Sequence, residues 1–161
     1  MNDPIGISDL GCMYRDGRFG LPQNYPQALE LWHRAAELGH AQSYYNIGHF
    51  YMNGRGVDVD TKKATHYWGL AAMRGDVQAR HNLGCNECHA GKVDRALRHW
   101  VIAVKDGDSD SLESIKRMYK NGIATKDDYA KALQSYQEYL VEVKSDQRDE
   151  AAAAHAYRNG S

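Results

Sequence analysis

The chain lacks any apolar run approaching the roughly 18–20 residues that a membrane-spanning helix needs. It also lacks a surplus of either charge: 20 basic residues face 21 acidic ones, for a formal net charge of −1. No global field therefore gathers nucleic acid or an acidic membrane surface, and neither is expected as a partner. Cysteine is scarce and odd in number, three in 161 residues, which argues against a disulfide framework and for a reducing compartment. The start, Met1-Asn2-Asp3-Pro4, has neither the basic nor the apolar region of a secretory signal, so the expected location is cytoplasmic. Catalytic signatures are missing as well. Asn53-Gly54-Arg55-Gly56 lacks the lysine and the strand-to-helix setting of a phosphate loop. Asp127-Asp128 resembles a carboxylate pair, but Asp128 falls at a helix-capping position. The chain reads as a protein that is not an enzyme and carries no cofactor.

What is present is repetition. An alanine is followed four positions later by an aromatic at Ala28 and Trp32, Ala64 and Trp68, Ala96 and Trp100, and Ala132 and Tyr136. These aromatics lie 32 to 36 residues apart. Small pairs follow at a fixed offset (Ala35-Ala36, Ala71-Ala72), and a glycine falls seven residues after each tryptophan, at Gly39, Gly75 and Gly107. A period in the mid-thirties marks stacked supersecondary units, none of which can bury its apolar face alone.

A second periodic segment precedes each alanine–aromatic helix. It carries Leu10-Gly11 with Tyr14, Ile47-Gly48 with Tyr51, Leu83-Gly84, and Ile115-Lys116 with Tyr119. Apolar residues at i and i+4 place these on one helix face, and the small residue lets the partner helix approach closely. We call this segment helix A and the alanine–aromatic segment helix B. Turn residues stand between them: Asp16-Gly17, Asn53-Gly54 and Asn121-Gly122. Asn24, Asp60 and Asp128, each four before the anchor alanine, are placed to cap helix B, and Pro26 suits a first turn. The third copy has Lys92 there and is four residues shorter, which predicts a clipped turn. Near the end, Tyr157-Arg158-Asn159-Gly160 repeats Tyr119-Lys120-Asn121-Gly122, so residues from about Asp146 to Arg158 read as one further helix A.

The run Tyr44, Asn46, Ile47, Gly48, Tyr51, Asn53, Gly54, Gly56, Val57, Asp60, Lys63, Ala64, Trp68, Ala71, Ala72, Gly75 resembles one full unit of the Sel-one-like repeat family, a relative of tetratricopeptide repeats. The first copy matches nearly as well, and the third and fourth match mainly in helix B. The resemblance implies an all-α chain: an α-α superhelix, right-handed, of about four helix-pair repeats plus a terminal helix, about nine helices in all. Repeats fall at about 4–39, 40–76, 77–108 and 109–144, with a terminal half-repeat over 145–161. Trp32, Trp68, Trp100 and Tyr136 are expected to be largely buried. The resemblance further implies an adaptor that binds a protein or peptide in a concave groove lined by helix A, with open ends that offer faces for self-association. Groove positions carried over from the tetratricopeptide arrangement are Ser8, Cys12 and Arg15; Gln42, Tyr45, His49 and Met52; Gln78, His81, Cys85 and Cys88; and Asp110, Glu113, Arg117 and Lys120.

One chemical motif stands apart. Cys85-Asn86-Glu87-Cys88-His89 is a C-x-x-C-H string, the pattern of haem attachment. With His81 it also places imidazole and thiolate groups at i, i+4 and i+7 or i+8, a metal-ligand spacing on one helix face. His81, Cys85, Cys88 and His89 are thus the candidate ligands of an alternative metal- or haem-binding reading. Against it, one straight helix rarely supplies a tetrahedral set, and free thiols in a groove account for the same residues.

Overall fold

The computed structural model describes residues 3–159, with side chains for residues 3–154. The side chains of His155 and Tyr157 to Asn159, and Gly160, lie outside the described residues. All regular structure among the described residues is helical, and the chain divides into two compact units. The first, Met1–Lys92, holds α1 (Pro4–Asp16), α2 (Tyr25–Glu37), α3 (Ala41–Asn53), α4 (Thr61–Met73) and α5 (Val77–His89). The second, Val93–Ser161, holds α6 (Val93–Lys105), α7 (Ser109–Lys120) and α8 (Lys126–Asn159). Helices α1, α3, α5 and α7 are helix A of successive copies, and α2, α4, α6 and α8 are helix B. In the first unit each helix packs on the next in sequence; in the second, α6, α7 and α8 all touch one another. The shortened third copy keeps its two 13-residue helices and loses only turn residues.

Caps fix where each helix starts. Asn24 accepts a hydrogen bond from the Gln27 N–H at 3.0 Å and Asp60 one from the Lys63 N–H at 2.9 Å, the expected helix B caps. Helix A has its own series, which the sequence reading missed. Asp3, Asp76 and Asp108 sit eight residues before the small-residue position, accepting from Gly6 N–H (2.9 Å), Ala79 N–H (2.8 Å) and Ser111 N–H (2.8 Å). His40 takes that place in α3 and puts Nδ1 2.9 Å from Ser43 Oγ. The fourth copy departs from expectation. Asp128 is not the cap; Thr125 is, and Asp128 completes a reciprocal capping box by accepting from Thr125 N–H (2.9 Å) and Oγ1–H (2.6 Å). Helix α8 therefore starts earlier than predicted.

The helix A glycines are the seats of the helix B tryptophans. A Cβ on Gly11 would fall 2.7 Å from Trp32 Nε1, and one on Gly48 only 2.6 Å from Trp68 Cδ1 and 2.9 Å from the Ala64 carbonyl oxygen. Trp32 also donates its indole N–H to the Ser8 carbonyl at 3.1 Å. Its ring meets Phe50 edge-on with centroids 4.8 Å apart, so the core of the first repeat runs into α3. Trp32, Trp68 and Trp100 are buried, as expected from the repeat. Tyr136 is not: it is only half-buried, stacked at 6.4 Å on its neighbour Tyr139 along α8. A phenol ring cannot fill the volume of an indole, and residues 146–154 of α8 are exposed.

Among the described residues there are eight helices rather than the expected nine, because nothing stops the eighth. Gly39, Gly75 and Gly107 end the earlier copies at φ values of 90°, 87° and 90°, a conformation that glycine adopts without strain. The equivalent residue of the fourth copy is Val143, and no glycine or proline occurs from Lys126 to Asn159. Helix B and the expected half-repeat therefore fuse into one 34-residue helix, helped by Ala151 to Ala154.

The two helical glycines Gly48 and Gly69 test this packing against each other. Gly48→Ala drives a methyl group into Trp68 and is expected to lower stability by about 1–3 kcal/mol. Gly69→Ala, in α4 with nothing within 4 Å of the new methyl group, should raise it by roughly 0.5–1 kcal/mol. Thermal or urea unfolding by circular dichroism reads both, and equal effects at the two sites would refute the tryptophan seat.

Candidate functional site: two clefts along the helix A series

Two clefts open along α1, α3 and α5 of the first unit, and His49 lines both. The first, about 310 Å³, is bounded by Arg15, Asp16, Trp32, Tyr45, Asn46, His49, Phe50 and Arg55. The second, about 220 Å³, is bounded by His49, Met52, Asn53, Trp68, Asn82, Cys85, Asn86 and His89. Buried side-chain contacts set α3 against α1 and so fix the first cleft: Ser43 donates to Ser8 Oγ at 3.0 Å, and Asn46 Nδ2 lies 4.0 Å from Cys12 Sγ.

The charged wall of the first cleft is held rigidly. Arg15 meets Asp16 through two bonds, Nε to Oδ1 at 2.7 Å and Nη2 to Oδ2 at 3.0 Å, while its guanidinium lies 5.9 Å from the Trp32 ring centre. Arg18 approaches the same carboxylate at 3.4 Å. The Arg15 hydrogen bond and three nearby guanidiniums hold the Asp16 carboxyl below its ordinary range. Arg55 reaches the cleft from the α3–α4 turn. That turn is pinned because Gly54 and Gly56 both take positive φ, and a Cβ on Gly56 would strike Tyr25 Cβ at 2.6 Å. The Arg55 backbone N–H also bonds to the Phe50 carbonyl at 3.2 Å. Burial lowers the His49 pKa, and the positive charges of Arg55 and Arg15 lower it further.

Several groove residues named from sequence line these clefts: Arg15, Tyr45, His49, Met52 and Cys85. Others do not. Ser8 is buried, tied to Ser43. Cys12 packs half-buried against the Trp32 and Phe50 core. Gln42 and Gln78 are exposed and border neither cleft. His81 is half-buried, with Nε2 3.3 Å from Cys85 Sγ. Glu113 and Arg117 belong to α7 of the second unit; both are exposed, and Glu113 pairs with Lys116 at 3.0 Å. The residues that sequence reasoning missed fall at two repeat positions and one turn. Asn46 and Asn82 stand two before the small residue, Asp16 and Asn53 five after it, and Arg55 in the turn; Asn86 adds a further amide, while His89, named from sequence only as a candidate metal ligand, also lies five after the small residue. The paired asparagines are visible as a repeated residue; the others coincide with helix endings and turns.

The metal and haem reading finds no site. Among the described residues no three His, Cys, Asp or Glu side chains converge on a common point. Cys85 and His89 border the second cleft while Cys88 does not, and its volume is below the roughly 300–1,000 Å³ of ligand pockets. These residues do not fit a doubly attached haem.

Helix pairs that repeat every 32 to 36 residues, the first two each seating a tryptophan on a glycine, define a tetratricopeptide-like α-helical repeat protein. More narrowly, residues 4–40 and 41–76 each match the Sel1 repeat, so α1 to α4 form two Sel1 repeats, and the chain resembles the Sel1 repeat family. It resembles a solved Sel1 repeat protein from Oxalobacter formigenes, with a TM-score of 0.74 and 27% identity, covering 88% of this chain and 59% of that one. It also resembles c5321, a protective antigen of uropathogenic Escherichia coli with the same repeat fold (TM-score 0.73, 30% identity, 88% and 31% covered). Among curated proteins, chitin synthase regulatory factor 4 of Schizosaccharomyces pombe is 26% identical over 107 residues, 66% of this chain and 17% of that protein. The ERAD-associated E3 ubiquitin-protein ligase component HRD3B of Arabidopsis thaliana is 35% identical over 96 residues, 59% and 15%. The chain spans 12–22% of the length of the curated relatives it matches. Sel1 repeat proteins generally mediate protein–protein interactions. No described helix is long and apolar enough to cross a membrane.

The arginines give the site a measurable signature. The His49 pKa is expected below the ordinary value of about 6.5, and Arg55→Ala should move it upward by removing a nearby positive charge. Because the neutral ring is favoured in the folded state, its contribution to stability is intact above about pH 6.5 and declines as pH falls through the lowered value. Proton NMR titration of the imidazole in both proteins checks the shift, and an unchanged pKa in the variant would place Arg55 away from the cleft.

Proposed function

We propose that this chain is a non-enzymatic scaffold that binds a segment of a partner protein along the helix A surface of its first unit. The observation that supports this most is the continuity of the two clefts. They share His49, run along α1, α3 and α5, the first two of these inside the matched Sel1 repeats, and are bordered by several side chains that stay partly exposed. An extended segment laid across α1, α3 and α5 meets a charged cleft first and a more apolar one next. Tyr45 is the main anchor, a half-buried aromatic that gains contact area at small entropic cost. The scarcity of cysteine favours a reducing compartment, the cytoplasm, as the place of action.

Self-association is a second reading, supported by α8. From Leu140 to Ala154 it is mostly exposed, with Leu140 and Val141 at the surface. A concentration-dependent change in sedimentation would favour it.

The groove reading predicts that Tyr45→Ala combined with Met52→Ala, one change in each cleft, abolishes capture of any protein that copurifies with the native chain. Both side chains pack in part on the Trp68 core, so the melting temperature should fall moderately while the helical circular dichroism at the assay temperature stays unchanged. Capture that survives the double change, with Leu140→Glu and Val141→Glu abolishing it instead, would move the binding surface to α8.

A further inference from the structure

The first cleft carries more positive charge than its own carboxylate neutralises. Asp16 is contacted by Arg15 and Arg18, and Arg55 borders the same cleft without an ion pair among the described residues. Three guanidiniums thus gather around one carboxylate in a chain whose overall charge is −1. Asp16 engages Nε and Nη2 of Arg15, which leaves the Nη1 edge of that planar group unmatched. The same pairing and the Trp32 ring preorganise Arg15, so an incoming anion does not have to order it. The glycines around Arg55 do the same for the turn. Asn46 and Tyr45 add uncharged polar groups to the wall. Beyond His49, Met52 and Trp68 give the second cleft an apolar side, while Asn53, Asn82 and Asn86 offer amides suited to a peptide backbone.

We propose that the first cleft is a carboxylate site for an acidic partner segment, a Glu or Asp side chain bridging Arg15 and Arg55 while a neighbouring apolar side chain enters the second cleft. This rests on the groove reading above and names the chemistry of its ligand. Guanidinium pairs with carboxylate through parallel charge-assisted hydrogen bonds, and a partly desolvated cleft strengthens them. Free phosphate would satisfy the arginines but leave the adjoining amide-lined cleft unused, so the peptide is the better occupant.

The test uses the full chain and two fluorescein-labelled peptides: one of alternating Glu and Leu between Gly-Ser flanks, and the same peptide with Gln for every Glu. Fluorescence anisotropy should show the Glu peptide binding roughly tenfold or more tightly than the Gln peptide. Arg55→Glu should erase that preference without changing the melting temperature, since the side chain is exposed. Arg117→Glu, in the second unit, should leave the preference intact. Equal binding of the two peptides, binding of neither, or a preference that survives Arg55→Glu would each overturn the carboxylate site. Displacement of the Glu peptide by inorganic phosphate at equal concentration would overturn it in favour of a free-anion site. None of these results bears on capture through Tyr45 and Met52, so the broader groove reading stands or falls separately.

Discussion

The close approach of a helix B indole to a helix A glycine organises each of the first two repeats. With any side chain at Gly11 or Gly48, the helices must separate and the tryptophan lose its seat. The contact is local, joining residues about 20 apart, and it recurs with the sequence period. Fully burying an aromatic of this size contributes on the order of 2–3 kcal/mol, and neighbouring repeats share the benefit because Trp32 also packs on Phe50 of α3. Stability in such a stack accumulates from within-unit and nearest-neighbour terms, so each copy can be spared some residues provided the seat is kept.

That economy explains where variation is tolerated. The core needs the glycine, the anchor alanine and the tryptophan; the turns need caps and a residue of positive φ. Positions one, four and five after the glycine are held less strictly, since each keeps part of its side chain at the surface. Between the first two copies they change from Cys12, Arg15 and Asp16 to His49, Met52 and Asn53, while the same kinds of residue pack beneath them. The clefts are therefore built largely from residues whose identity the fold leaves open. The fourth copy shows the effect of losing a punctuation residue. With Val143 in place of glycine, helix propensity alone decides, and α8 continues.

Much of the fold was legible because its signals are periodic. Alanine-to-tryptophan spacing, turn glycines and the helix B caps all recur and support one another, so helices α1 to α7 follow directly from the sequence. The failures have separate physical causes. Asp128 resembles a cap by position, but Thr125 three residues earlier offers a hydroxyl and a reciprocal box, which is the better-satisfied arrangement. Tyr136 looks equivalent to tryptophan, yet burial depends on what lies over the ring as well as on the residue. The site was harder to read. Groove positions borrowed from a related repeat put Arg15, Tyr45, His49, Met52 and Cys85 on the clefts but sent Ser8 to the surface, where the structure pairs it with Ser43 in the core. Arg55 was invisible to that scheme because its position depends on the path of a turn.

Electrostatics shows the same limit from another side. The net charge of −1 gives no hint of a cationic surface, because it averages over the whole chain while screening confines each charge to its neighbourhood. What matters at a cleft is which charges the fold gathers there. Arg15 and Asp16 are adjacent in sequence and cancel; Arg55 arrives from 39 residues away, on a turn held by two glycines, and remains uncancelled. The repeat therefore does more than stack helices. By fixing each turn against the preceding unit, as Gly56 is fixed against Tyr25, it sets the position of one copy's loop charge relative to another copy's helix charge. A binding preference can then arise from the register between repeats, with no unusual residue in either one.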